Sequence, residues 1–313
     1  MRTRDGPRNK TGPGCGAAGR GMNPSVDTRR QALEAWVADE LDATPEWQVA
    51  SADASFRRYF RAHVSRGNET LSYIAMDAPP ERENNAAFIE IAALMADAGL
   101  NVPRVLAADH ERGFLLLTDL GTRTFLDVLD DDNADALFGA AIGALIDWQQ
   151  ASRPGVLPDY DRATLAAELE LFRDWYLARH LKYTPSEAEH ADIDRAFAFI
   201  LDNVCAQSPV YVHRDYMPRN LMISDPLPGV LDFQDARYGP VTYDVASLFR
   251  DAFISWPEDR ISTWMHAYWQ AARARHVPVA DDWRTFVDDV AALISATQKT
   301  GVFGASPPRF RSG

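Results

Sequence analysis

Four polar residues in one stretch of this 313-residue chain stand at spacings that could move a phosphoryl group. The stretch, residues 211–246, reads YVHRDYMPRNLMISDPLPGVLDF and continues QDARYGPVTYDVA. Asp215 is the candidate base, because a hydroxyl is a weak nucleophile and a carboxylate within hydrogen-bond reach activates it. Asn220, five residues later, offers an amide oxygen suited to a hard cation. Asp232 follows Val230 and Leu231 at the end of a short apolar run, where a second metal ligand would sit. Phosphoryl transfer needs positioning and charge neutralisation around Mg-ATP, and these residue types supply both. His213 reads as a ring that holds the loop, and Asp244 as a carboxylate that ties loops together. Asp235 is placed to help position metal or substrate. Arg214 and Arg219 carry guanidinium groups that match phosphate or carboxylate in two-point fashion.

These residues need elements to hold them. Periodicity predicts a first helix over 29–41. A strand–turn–strand pattern follows, from SADASFRRYFR (51–61) to LSYIAMDA (71–78). A helix over 83–98 stops at Gly99. VPRVLAAD and GFLLLTDLG give two more strands. Helices are expected over 134–150, 162–180, 186–205, 245–253 and 260–275. This predicts an α+β, bilobal, protein-kinase-like fold with a small antiparallel β-rich N-lobe and a larger helical C-lobe. Residues 22–121 form the nucleotide-binding lobe in this reading. Residues 122–313 form the helical lobe, with the catalytic loop and the acceptor site. Residues 1–21, rich in Gly, Arg and Pro, read as a disordered extension.

On the nucleotide side, the hairpin over 51–61 sits where a phosphate-covering turn would be. It holds no glycine, so contacts are expected from Ser51, Ser55, Arg57 and Arg58, with Arg61 adding charge. Glu83 is a candidate partner for one of these arginines. The next strand reads IAMDA, without the lysine that a kinase usually carries there. Backbone groups near Leu117 and Asp119 are the candidate adenine contacts.

The formal net charge of -13 argues against nucleic acid or an anionic membrane as partner. Two cysteines, Cys15 and Cys205, make no disulfide scaffold and fit a reducing cytoplasm. No run reaches the ~18 apolar residues of a membrane span.

HRDYMPRNLM (213–222) with LDFQDARYGPVTYD (231–244) resembles the aminoglycoside phosphotransferase and choline kinase superfamily. Adding SADASFRRYF, MDAPP, GFLLLTDLG and ELELFRDWY (168–176), the chain is similar, over roughly 32–289, to its bacterial branch of anomeric amino-sugar kinases. The resemblance implies ATP and Mg2+ as cofactors and transfer to the anomeric hydroxyl of N-acetylmuramate or N-acetylglucosamine. The α-1-phosphate would feed a sugar-1-phosphate nucleotidyltransferase in cell-wall recycling, a route linked to fosfomycin tolerance. It implies that Asp215 is catalytic and that Asn220 and Asp232 hold metal. Glu168, Trp175, Arg219 and Asp235 are candidate substrate contacts. The default assembly is a monomer. The end of the chain departs from the family: Pro307, Pro308 and nearby Gly and Ser residues argue against a terminal helix. Two other readings stand beside this one: a related kinase such as one acting on aminoglycosides, and a catalytically silent kinase-like binding protein.

Overall fold

The computed structural model describes residues 27–300 apart from 53–55 and 252, and only the backbone of 51, 52 and 295–300. The expected extension over 1–21, the tail beyond Thr300 and Ser55 therefore lie outside the described residues, as does the side chain of Ser51.

Helix α1 (Thr28–Leu41) leads into β1 (Glu46–Ala52), β2 (Arg58–Arg66) and β3 (Glu69–Asp77). Helix α2 (Asn85–Asp97) is inserted before β4 (Val105–Asp109) and β5 (Phe114–Thr118). The five strands form one antiparallel sheet in the order β1-β2-β3-β5-β4. Alternation gives this sheet two faces. Phe60, Ala62 and Val64 of β2, with Ala75 and the β5 residues Phe114 and Leu116, pack on Leu33, Trp36 and Val37 of α1. Met76, Leu115 and Leu117 point the other way and join the core shared with α2 and the helical lobe. Gly113 closes the β4–β5 turn at φ +73°, and a Cβ there would lie 2.1 Å from the Ala78 carbonyl oxygen.

The second lobe contains α3 (Phe125–Val128), α4 (Ala134–Gln150), α5 (Arg162–Leu171), a π-helical segment (Phe172–His180) and α6 (Glu187–Ala206). Strand β6 (Pro209–Val212) pairs with β9 (Arg237–Pro240), and β7 (Leu221–Met222) pairs with β8 (Gly229–Val230). Helices α7 (Tyr243–Phe249), α8 (Glu258–Ala274) and α9 (Trp283–Thr300) complete it. The apolar face of α4 (Leu137, Phe138, Ala141, Leu145, Trp148) is buried against α8 and β6 residues such as Trp264 and Tyr211.

The α+β, two-lobed architecture is as expected, and several boundaries differ. The single helix expected over 162–180 changes to π geometry at Phe172, a widening that often accompanies functional sites. The helix expected from Glu83 begins at Asn85, because the Asn84 side chain caps it by accepting from the Ala87 N–H. Helix α7 stops at Phe249 rather than Phe253. Helix α9 carries ALISATQKT to Thr300 as helix, so the argument against a terminal helix fails for those residues. Its amphipathic stripe, Phe286, Val290 and Leu293, is fully buried and outweighs the breakers that follow. Among the described residues, no helix is long and apolar enough to cross a membrane.

Candidate active site

The catalytic loop joins β6 to β7, and its conformation is enforced by short hydrogen bonds. The Asp244 carboxylate, at the start of α7, accepts from the backbone N–H groups of His213 (2.7 Å) and Arg214 (3.0 Å). His213 is buried; its Nδ1 accepts from the Asp215 N–H at 3.2 Å, and its Nε2 lies 3.0 Å from the Leu231 carbonyl. That pairing makes Nε2 the protonated nitrogen. Burial holds the imidazole's pKa down at about 4, so the ring is neutral at pH 7 and serves as a strut. Arg214 takes φ +79° and Asp232 φ +63°. Two non-glycine residues in the left-handed region are held there by surrounding contacts, as occurs at functional sites.

Asn220 closes a single 3₁₀ turn (Pro218–Asn220). Its Nδ2 donates to the Asp215 carbonyl at 2.8 Å, which fixes the amide oxygen on the opposite side. The Leu231 N–H donates to the Asn220 carbonyl at 2.9 Å, continuing the β7–β8 ladder and setting Asp232 beside Asn220. The Asp232 Oδ1 accepts from Gln234 at 2.8 Å. Asn220 and Asp232 therefore present two oxygen donors at one end of the cleft. Two is a donor count that suits a hard divalent ion completing its shell with phosphate and water. Among the described residues, no group of three or more His, Cys, Asp or Glu could hold a metal.

Asp215 is half-buried. Burial, and next the charge of Asp232, push its carboxyl up to about 7, with Asp235 adding to the rise. The cations Arg214 and Arg219 pull the other way. A carboxylate near neutrality is matched to accepting a hydroxyl proton at physiological pH.

A cavity of about 520 Å³ opens between the lobes. Leu117, Thr118, Asp119 and Leu120 line it on the linking segment, Gln48, Tyr59, Arg61 and Ile74 on the sheet, and Arg219, Asn220 and Asp232 at the far end. The cavity therefore brings Leu117, Asp119, Arg219, Asn220 and Asp232 together. The side chain of Asp119 has a different task from ligand contact. It accepts from Arg61 (2.5 Å), Ser72 (2.5 Å) and the Gly121 N–H (3.0 Å). Burial pushes its carboxyl up, but these donors hold it below the usual range.

Other expected contacts are not gathered. Arg57 forms a buried ion pair with Glu83 at 3.1 Å, and Glu83 also accepts from the Phe56 N–H at 3.0 Å. This pair fastens the β1–β2 turn to the segment before α2. Arg58 stands opposite Asp77 in the β2–β3 register and pairs with Asp77 and Asp27. Neither arginine lines the cavity. Strand parity gives the reason: Arg58 shares a face with Phe60, toward α1, whereas Arg61 shares a face with Tyr59, toward the cleft. The same parity argument could have singled out Arg61 from the sequence.

Glu168 sits behind the catalytic loop. It accepts from Arg214 at 2.6 Å and from the Tyr160 hydroxyl, whose oxygen in turn accepts from the Tyr243 hydroxyl at 3.1 Å. Burial, and then the Glu168 charge, raise the Tyr160 phenol so that it stays a donor. The Arg214 guanidinium lies over the Tyr160 ring, 5.3 Å from its centroid. Trp175 lies on the π segment with Arg179 stacked 3.9 Å above its ring; it does not line the cavity. Asp235 is exposed near the loop.

Comparison with known proteins adds an independent finding. The model of the phosphotransferase enzyme family matches residues 46–285. An N-acetylmuramate/N-acetylglucosamine kinase of Pseudomonas putida is 48% identical over 293 residues, covering 90% of this chain and 85% of its own. A protein of the same name from Neisseria meningitidis serogroup B is 44% identical over 241 residues, covering 76% and 71%. Among solved structures, an ADP-bound aminoglycoside phosphotransferase superposes with a TM-score of 0.54 at 13% identity, covering 87% of this chain and 99% of that one. A Plasmodium vivax ethanolamine kinase gives 0.57 at 12% identity, covering 87% and 79%. At these identities the structural likeness concerns the fold.

Proposed function

Since the chain belongs to the phosphotransferase enzyme family, we propose that it is an ATP-dependent sugar kinase acting on the anomeric hydroxyl of N-acetylmuramate and N-acetylglucosamine. One observation carries the chemistry: Asp215, whose carbonyl accepts from the Asn220 amide at 2.8 Å, stands next to the Asn220–Asp232 oxygen pair that lines the cleft. The acceptor assignment is supported by 48% identity over nine-tenths of the chain to a kinase of that name.

In this reading, the linking segment 117–120 receives adenine, with the Arg61–Asp119 pair bracing it from the sheet. Asn220 and Asp232 would hold Mg2+, which when bound neutralises charge on the phosphates. Asp215 orients the hydroxyl and takes its proton as the new O–P bond forms and the β–γ bridging bond breaks. ADP leaves. The acceptor approaches from the Asp215 side, near Asp235, while Glu168 braces the loop through Arg214. The sugar 1-phosphate is the form a nucleotidyltransferase consumes, which supports a place in cell-wall sugar recycling.

Phosphorus NMR after incubation with Mg-ATP and either sugar tests this reading. A sugar 1-phosphate signal, lost in Asp215→Asn, is the expected result. ATP binding with neither sugar phosphorylated, but with an aminoglycoside consumed, would replace the acceptor. Nucleotide binding with no acceptor turned over would favour a silent binding protein.

A further inference from the structure

Strand β3 reads ETLSYIAMD and presents Ile74 to the cleft. A kinase needs a cation against the nucleotide's terminal phosphates, and here β3 offers none. No lysine elsewhere fills the gap, since among the described side chains the lone lysine is Lys182, exposed beyond the π segment. Among the described residues, the cations that line the cleft are arginines. Arg57 is bound by Glu83, and Arg58 by Asp77 and Asp27. Two arginines line the cavity, Arg61 and Arg219. Arg61 is buried and engaged at the linking segment by both Asp119 oxygens and by the Gly121 carbonyl (2.7 Å). It stands at the adenine end of the cleft.

Arg219 differs on each count. It directly precedes Asn220, one of the two oxygen donors, and lines the same cavity. It is exposed, and among the described residues it forms no ion pair. Its guanidinium lies 5.1 Å from the centroid of the Phe253 ring, which orients its plane while leaving N–H groups available. A guanidinium matches phosphate geometry in two-point fashion.

We propose that Arg219, supplied by the catalytic loop, is the cationic contact to the γ-phosphate that β3 lacks, so this chain clamps its nucleotide from the helical lobe. The inference rests on the kinase reading above, but its first readout is nucleotide binding and needs no acceptor.

Calorimetric titration with ADP and with the non-hydrolysable ATP analogue AMP-PNP, each with Mg2+, would be run on wild type, Arg219→Ala and Arg219→Lys. Arg219→Ala should weaken AMP-PNP at least ~10-fold and ADP by less than ~3-fold, and Arg219→Lys should recover part of the loss. The turnover number of Arg219→Ala should fall ~100-fold with N-acetylmuramate and N-acetylglucosamine alike. Retained ADP binding reports an intact fold. Equal effects on ADP and AMP-PNP, or none, would overturn the proposal. So would a loss confined to N-acetylmuramate, which would assign Arg219 to the acceptor's carboxylate. If wild type phosphorylates neither sugar, the acceptor assignment fails while the AMP-PNP comparison still decides the role of Arg219.

Discussion

Asp215 keeps its proton to an unusually high pH because water is partly excluded around it and Asp232 repels its charge. Protonated, it cannot accept the hydroxyl proton. The profile of kcat/KM, which reports the free enzyme, should therefore fall on the acid side with an apparent pKa near 7. The kcat profile should fall at lower pH, since cations bound beside Asp232 remove the repulsion. A kcat/KM limb near pH 4 would rule out Asp215 as the titrating base. Stability carries the opposite sign. A carboxyl whose folded pKa is raised contributes stability that is fully present below its unfolded pKa and is lost as pH rises toward the folded value. For Asp215 the loss runs from about pH 4 to about pH 7 and is complete above that. Asp215→Asn should abolish turnover, yet melt several degrees higher than wild type at pH 8 without nucleotide, a gain of the order of 1–3 kcal/mol. Equal melting temperatures at pH 5 and pH 8 for both proteins would contradict that account.

At the scale of elements, the sheet that roofs the cleft depends on tight turns. Gly67, in the β2–β3 turn, has φ +66° with nothing within 4 Å of a built Cβ. Gly67→Ala should cost only the backbone strain, about 1 kcal/mol. Gly113 combines φ +73° with a Cβ position 2.1 Å from the Ala78 carbonyl oxygen and 2.8 Å from Pro80 Cδ. The backbone must move to admit a methyl group there, so Gly113→Ala should cost about 3 kcal/mol or more. Urea unfolding of the two variants would show whether the order holds. The π segment makes a comparable point on the helical side. Phe172, Tyr176 and His180 stack in a row, since side chains four apart along a helix lie on one face. That row continues from Glu168, the residue that grips Arg214 behind the catalytic loop.

Across the whole molecule, the two lobes meet through the segment after β5, and Arg61 reaches from β2 to grip it at Asp119 and Gly121. Both side chains of the pair are nearly buried. Removing one partner leaves an uncompensated charge in a dry site, whereas replacing both with apolar residues removes the desolvation cost as well. Asp119→Leu alone should destabilise by roughly 3–5 kcal/mol and weaken nucleotide binding. Arg61→Met with Asp119→Leu should recover most of the stability but not the nucleotide affinity. Denaturant midpoints and ADP titrations of both variants would check this. Additive losses in the double variant would mean that the pair is not coupled.

The catalytic stretch was legible in the sequence because its geometry is local. Asp215, Asn220 and Asp232 lie within eighteen residues, and one turn and one short hairpin are enough to bring them together. The strands, most helices and the order of the lobes were legible for a related reason, since alternation and helical periodicity follow from the backbone alone. Side-chain partners were not legible. Arg57, Arg58 and Arg61 are chemically equivalent in the sequence, and their fates differ because Glu83, Asp77 and Asp119 reach them from 26, 19 and 58 residues away. Likewise Glu168 meets Arg214 across 46 residues and braces the loop from behind. The sequence by itself determined which chemistry the loop could perform, through residue types at short fixed spacings. Only the tertiary structure decided which carboxylate each arginine meets, because a buried cation goes to whichever carboxylate the packing of the whole sheet brings within reach.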